Sequence, residues 1–238
     1  MRLVPCFAYD RRKAEVRSQK SEGRGQKSEV RSQISEGRKQ EAGIDRMNNS
    51  IAQGETLIEA ALTPFDFVRQ VGVVIGFSLL TVLAAQIVIP IGPVPITAQT
   101  FAVVLTGALL GSRLGAMAMI AYLLEGASGL PFFAGGTGGL AHLLGPTGGY
   151  LIAFPAAAFI TGAFAEHGWD RKFVTSVAAM FIGSVVIILC GGAWFALLMR
   201  TSPVTVLRVA VLPFVPGEVI KVVLAAAVLP TGWKLLNR

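Results

Sequence analysis

Residues 173–199 read FVTSVAAMFIGSVVIILCGGAWFALLM, a run without one charged side chain. A helix needs roughly 20 mainly apolar residues to cross a bilayer core. A soluble protein can bury one helix this apolar, so the neighbours decide. Working outward, similar runs stand at 67–89, about 96–111, about 112–130, near 150–165 and about 214–229, the last expected to stop at Pro230. Six such runs in series, almost free of charge, predict an all-α membrane protein. The expected unit is a six-transmembrane-helix bundle over 67–230, with a short tail over 231–238.

Composition agrees. Of 238 residues, 53% are hydrophobic and 15% charged, with mean hydropathy +0.62, where soluble domains carry about 25% charged residues. Residues 1–46 hold 12 of the 21 Lys and Arg and 7 of the 14 Asp and Glu, so the rest of the chain nets only 9 − 7 = +2. The overall +7 therefore belongs mostly to the leader and does not describe a nucleic-acid-binding face. Cys6 and Cys190 lie in unlike segments and suggest neither a disulfide framework nor a metal cluster.

The leader repeats RSQKSEG, RGQKSEV, RSQISEG over 17–37. Its seven-residue period lacks the apolar pair of a coiled coil, and a solvated, disordered tract is expected. The seven-nucleotide unit AGAAGTC read three times in frame encodes Arg-Ser-Gln-Lys-Ser-Glu-Val, which matches the repeat closely. A tandem DNA repeat read through in frame is therefore expected, with the biological start at Met47 and a cytoplasmic segment over 47–66. The leader has no uninterrupted apolar core of the kind a signal peptide carries.

Lys and Arg in short connections set orientation. With the N-terminus inside, inner segments after the first span hold Arg113, Arg171, Lys172, Lys234 and Arg238, against Arg200 and Arg208 outside. Arg69 at the foot of the first span points the same way, so N-in and C-in are expected. Two Gly/Pro-rich loops then fall on the outer face, PIGPVPIT at 90–97 and the stretch 131–150 with GGTGG at 135–139 and GPTGGY at 145–150. Such backbone cannot stand bare in lipid, where its N–H and C=O groups find no partners. Low charge favours a lid folded back over a ligand cavity; two ordinary interfacial turns are the plainer alternative.

Ionisable residues inside a membrane are the first candidates for function. Glu218 and Lys221, spaced i,i+3 at the start of the sixth span, share a helix face. A lone charge there costs roughly 2.5–3.5 kcal/mol on insertion scales, so a self-satisfied ion pair facing the bundle is one reading. The other has Lys221 meeting an anionic ligand while Glu218 holds it or takes another ligand group. Gln99 and Thr100 are candidate cavity donors, and Glu125 faces either the cavity or the headgroups. For His142 a solvated or hydrogen-bonded role is expected rather than catalysis. Gly72 and Gly76 form a G-x-x-x-G strip that permits close approach of a partner helix. No metal-ligand spacing and no phosphate loop of the type G-x-x-x-x-G-K-[ST] occurs, so no metal or cofactor is expected and any ATPase is a separate chain.

Several stretches, taken in order, resemble the BioY family, the biotin-binding S components of energy-coupling-factor transporters. They are GPVPITAQT at 92–100, GALLG at 107–111, GLPFFAGGTGG at 129–139, LGPTGGYL at 144–151 and PGEVIK at 216–221. The resemblance covers about 67–230 and leaves out 1–46. It implies a multi-pass S component of the bacterial cell membrane that captures biotin from outside. It further implies a transmembrane coupling subunit and two ATP-binding-cassette ATPases as partners. By the same resemblance Glu218 and Lys221 contact biotin, although many relatives carry Asp at the first position, and Thr137 contributes a polar contact. Glu125 replaces a usually apolar residue. The ligand chemistry fits: Lys221 suits the valerate carboxylate, while Thr137, Gln99, Tyr150 and loop amides are candidates for the ureido end. Three alternatives stay open: another small vitamin as ligand, a chain working alone as facilitator, and an intramembrane serine protease built on Ser128, in Gly126-Ala127-Ser128-Gly129, with His142.

Overall fold

The computed structural model describes residues 67–90 and 94–236, with Gly37, Arg38, Thr56 and Ile58 besides. Apart from those four positions, the leader over 1–46, the start at Met47 and the segment 47–66 lie outside the described residues. So do positions 91–93 of the first loop.

The first apolar run forms α1 (Phe67–Ala85). It ends before Pro90 because the chain turns into β1 (Val88–Ile89), which pairs antiparallel with β2 (Ile96–Thr97), Val88 opposite Thr97 and Ile89 opposite Ile96. The described ends of the first Gly/Pro loop thus close a small ribbon. Helix α2 (Gln99–Ala127) follows, then a 3-10 turn (Ala134–Gly136), α3 (Leu140–Leu143), α4 (Gly148–Ile152) and α5 (Phe154–Glu166). A second 3-10 turn (Trp169–Arg171) leads to α6 (Phe173–Met199), whose bounds match the charge-free run. Next come α7 (Pro203–Val206), a π-helical turn (Leu207–Val211) and α8 (Val215–Leu236).

Among the described residues, five helical stretches are long and apolar enough to cross a membrane: α1, α2, 148–166, α6 and most of α8. The second and third expected runs both fall within α2, which leaves helical geometry at Gly111 (φ 82, ψ −179). There the chain doubles back. A Cβ on Gly115 would stand 2.9 Å from Gly107 Cα, and the Gln99 amide hydrogen-bonds the Tyr122 hydroxyl, whereas a straight helix would hold positions 99 and 122 about 34 Å apart. Beyond the bend, the Ser112 N–H donates to Glu166 Oε1 at 2.7 Å and the Ser112 hydroxyl to the same oxygen at 2.8 Å. The carboxylate so satisfies a donor at the new helix start, where negative charge is favourable.

α5 packs on both arms of this hairpin through small residues. A Cβ on Gly107 would lie 2.3 Å from Ala158 O, and one on Gly162 would lie 2.3 Å from Gly111 C. Without lipid-excluding hydrophobic drive, close backbone approach is how membrane helices gain contact. Large apolar side chains face outward instead, Val68 at 79% exposure, Val174 at 76% and Leu197 at 78%. In water such surface would be a liability; against lipid it is the expected exterior.

The last helix corrects the expectation that it stops at Pro230: it runs through Pro230 to Leu236. Pro removes one ladder hydrogen bond, but tertiary contacts hold the turns beyond it. The Trp233 indole N–H donates to Asp170 Oδ2 at 2.6 Å, and the Arg171 guanidinium lies 4.3 Å from the centre of the Trp233 ring.

Candidate functional site

Lys221 is one turn along α8 from Glu218, and both turn inward toward the start of α2. The Lys221 ammonium donates to Glu218 Oε1 at 2.8 Å, Thr97 O at 2.6 Å and Thr100 Oγ1 at 3.0 Å. The Thr100 hydroxyl in turn donates to Glu218 Oε1 at 2.6 Å. An ammonium has three donors, and all three are used. Glu218 is only 6% exposed, yet its second oxygen, Oε2, is buried without a partner among the described residues. A buried charged acceptor without a donor costs more than a neutral one. The pair is thus half satisfied: the cation is full and the carboxylate has one open position.

Glu218 and Lys221 both line a cavity, and concave sites with apolar walls and a few polar groups are where small molecules bind. Val94, Phe154, Ile187 and Phe214 supply apolar wall, while Glu218, Lys221, Thr97, Thr100, Gln99, His142 and Thr147 supply its polar groups. Both ends of Gln99 are engaged, its carbonyl accepting from the Thr97 hydroxyl at 2.9 Å and its amide donating to Tyr122. Tyr150 lines the wall with its ring, stacked on Phe214 at 5.8 Å between centroids, but its hydroxyl donates to Ala210 O at 2.6 Å.

The second loop closes one side. His142 lies between the Thr137 and Thr147 hydroxyls, each 3.2 Å from a ring nitrogen, and stacks on Phe133 at 5.3 Å. Burial pushes its imidazole below the ordinary pKa, so the neutral ring is favoured. The Trp194 indole N–H ties Gly145 O to α6 at 3.0 Å.

Four of the five expected ligand residues, Lys221, Glu218, Gln99 and Tyr150, therefore meet at one cavity. Thr137 does not line it; its exposed hydroxyl donates to Ala134 O at 2.9 Å and supports His142 from behind. Glu125 faces neither the cavity nor open solvent alone: it accepts from the buried Ser78 hydroxyl on α1. Ser128 donates to Glu125 O at 2.6 Å and His142 bridges two threonines, so the protease pair is not assembled. Gly72 and Gly76 stand on the open face of α1, with nothing within 4 Å of a Cβ built on either. Sequence reasoning missed Thr147, Phe154 and Phe214 as wall. In an apolar chain an inward aromatic looks like a lipid-facing one; only Thr147 beside Gly148 carried a hint.

The BioY family model matches residues 49–238. The chain belongs to the BioY family. Among relatives, it is 42% identical over 160 residues to the probable biotin transporter BioY of Pyrococcus horikoshii, covering 67% of this chain and 93% of that one. It is 37% identical over 164 residues to the biotin transporter BioY of Rhizobium etli, covering 62% and 88% respectively. Among solved structures, it resembles the S-component for biotin from an ECF-type ABC transporter with TM-score 0.67 at 28% identity, over 74% of this chain and all of that one. This BioY chain accordingly shares the S-component fold, and it is a membrane-embedded member of a transporter family.

Proposed function

We propose that this chain binds biotin at the cell membrane and delivers it inward as the S component of an energy-coupling-factor transporter. A transmembrane coupling subunit and two ATP-binding-cassette ATPases would supply the energy, as expected for the family. The single observation that carries the ligand reading is the half-satisfied Glu218/Lys221 pair, with Oε2 open, in the lining of a cavity that joins apolar walls to a few polar groups.

That observation also shifts the ligand's expected orientation. A ligand carboxylate brought to Lys221 would share one ammonium with Glu218, placing two anions together in a low-dielectric site. A neutral ureido group avoids this. Its N–H donors suit Glu218 Oε2, and its carbonyl suits Lys221 if one backbone contact yields. The thiophane ring and chain then lie along Tyr150, Phe154 and Phe214. In this pose N-methylation of the ureido nitrogen weakens binding far more than converting the carboxylate to an amide. The opposite ranking would return the carboxylate to Lys221.

We further read the chain as six crossings, N-in and C-in, with the two arms of α2 as a tight hairpin. The bend at Gly111, Arg113 beside it and the basic residues of 169–172 support this reading. The open strip of Gly72 and Gly76 suits docking of the coupling subunit. Biotin uptake in cells with and without the coupling subunits tests whether the chain works alone.

A further inference from the structure

A second, open groove lies between α6 and the 203–211 segment, apart from Lys221 and Glu218. Its lining is wholly apolar in character: Ile188, Gly192, Ala193 and Ala196 on α6 face Pro203, Val206 and Val211 across it. Gly192, Ala193 and Ala196 are small and leave the α6 side of the groove open. Its far wall is a π-helical turn, a rare form that widens a helix and recurs at functional sites. Ile188 lines both this groove and the ligand cavity and so adjoins the two.

Two cations stand close in sequence to the groove residues. Arg200, in the left-handed conformation (φ 50) that ends α6, is four residues past Ala196, and Arg208 follows the groove residue Leu207. Both are exposed, and among the described residues neither has a hydrogen bond or ion pair. Between Arg200 and Pro203 the Thr201 hydroxyl is buried without a partner among the described residues. An apolar trough, with two uncommitted guanidinium groups and an unsatisfied hydroxyl close in sequence to its lining residues, matches an amphiphile with a negative head.

We propose that this groove holds one acyl chain of an anionic phospholipid, with its phosphate taken by Arg200 and Arg208. The chain packs behind Ile188 and so stiffens one wall of the ligand cavity. Lipid composition then tunes ligand retention without the lipid touching the ligand. The lipid site itself stands independently of the ligand's identity; only its effect on binding rests on the biotin reading.

Native mass spectrometry of the full chain released from nanodiscs of phosphatidylcholine and phosphatidylglycerol tests it. The wild type should keep one phosphatidylglycerol in preference to phosphatidylcholine. The double variant R200A/R208A should lose that preference by about tenfold or more, the scale of two cations near an anionic headgroup. Ala193→Phe, which fills the groove and leaves both arginines, should reduce retention of either lipid while the protein stays monodisperse. Equal retention of the two lipids by the wild type, or retention unchanged in both variants, would overturn the site. Either outcome would point to a protein partner or ordinary bulk lipid over this face.

Discussion

At the scale of single residues, one oxygen decides how the site can bind. Glu218 Oε2 is buried without a partner while Oε1 takes both Lys221 and Thr100. Hydrogen bonds to charged groups contribute about 1.5–3 kcal/mol, so Glu218→Gln should weaken biotin binding by roughly ten- to a hundredfold. Lys221→Ala should cost more, because it leaves the carboxylate buried and uncompensated, yet the protein should still insert. Titration calorimetry on the purified variants reads both. His142 gives a pH dependence of known sign. Its folded pKa lies below the ordinary 6.5, because burial disfavours the cation. The ring's contribution to the closed loop is therefore full above about 6.5 and lost as pH falls below it. Proteolytic nicking of 131–147 should rise with acidification in the wild type and be flat in His142→Gln. The sequence made Glu218 and Lys221 legible, since an i,i+3 charge pair inside a membrane has few bland explanations. It could not show which of the two had capacity to spare, because that depends on Thr97 and Thr100 arriving from 118 or more residues away, as the separations of 118, 121 and 124 record.

At the scale of elements, hydropathy placed the apolar runs that become α1, α6 and α8, while two expected runs share the single element α2. Ends were harder. Pro90 and Pro230 both looked like terminators, but α1 stops short of the first because a β ribbon begins, while α8 passes the second because Trp233 is held. Long-range contacts settle such boundaries, and sequence shows only the local half. Asp170 is buried, which pushes its carboxyl above the usual range, with Trp233 and Arg171 pulling the other way. Trp233→Phe removes the donor and should destabilise the bundle by about 1–3 kcal/mol. Asp170→Asn keeps an acceptor for Trp233 without a buried charge and should be far milder; thermal shift in detergent compares them. The hairpin at Gly111 makes a second demand. Gly162→Leu would drive a side chain into the Gly111 backbone, now 2.3 Å from a bare Cβ, and should abolish monodisperse expression rather than alter affinity, since backbone cannot yield as a flexible side chain can.

At the scale of the whole molecule, small residues draw the helices together on the inside and large apolar ones meet lipid on the outside. The cavity forms where the two Gly/Pro segments meet the starts of α2 and α8. Hydropathy alone reached a helical membrane protein; motif order reached the BioY family; only assembled geometry showed an apolar pocket with a half-satisfied carboxylate. Thr137 marks the limit of motif reasoning, standing behind His142 rather than in the wall. The most direct test is equilibrium titration of the purified wild-type chain with biotin, alone and against other small vitamins in excess. The account predicts saturable one-to-one binding of biotin that the other vitamins do not displace. Binding of another vitamin in preference to biotin, or none of biotin by folded protein, would contradict it.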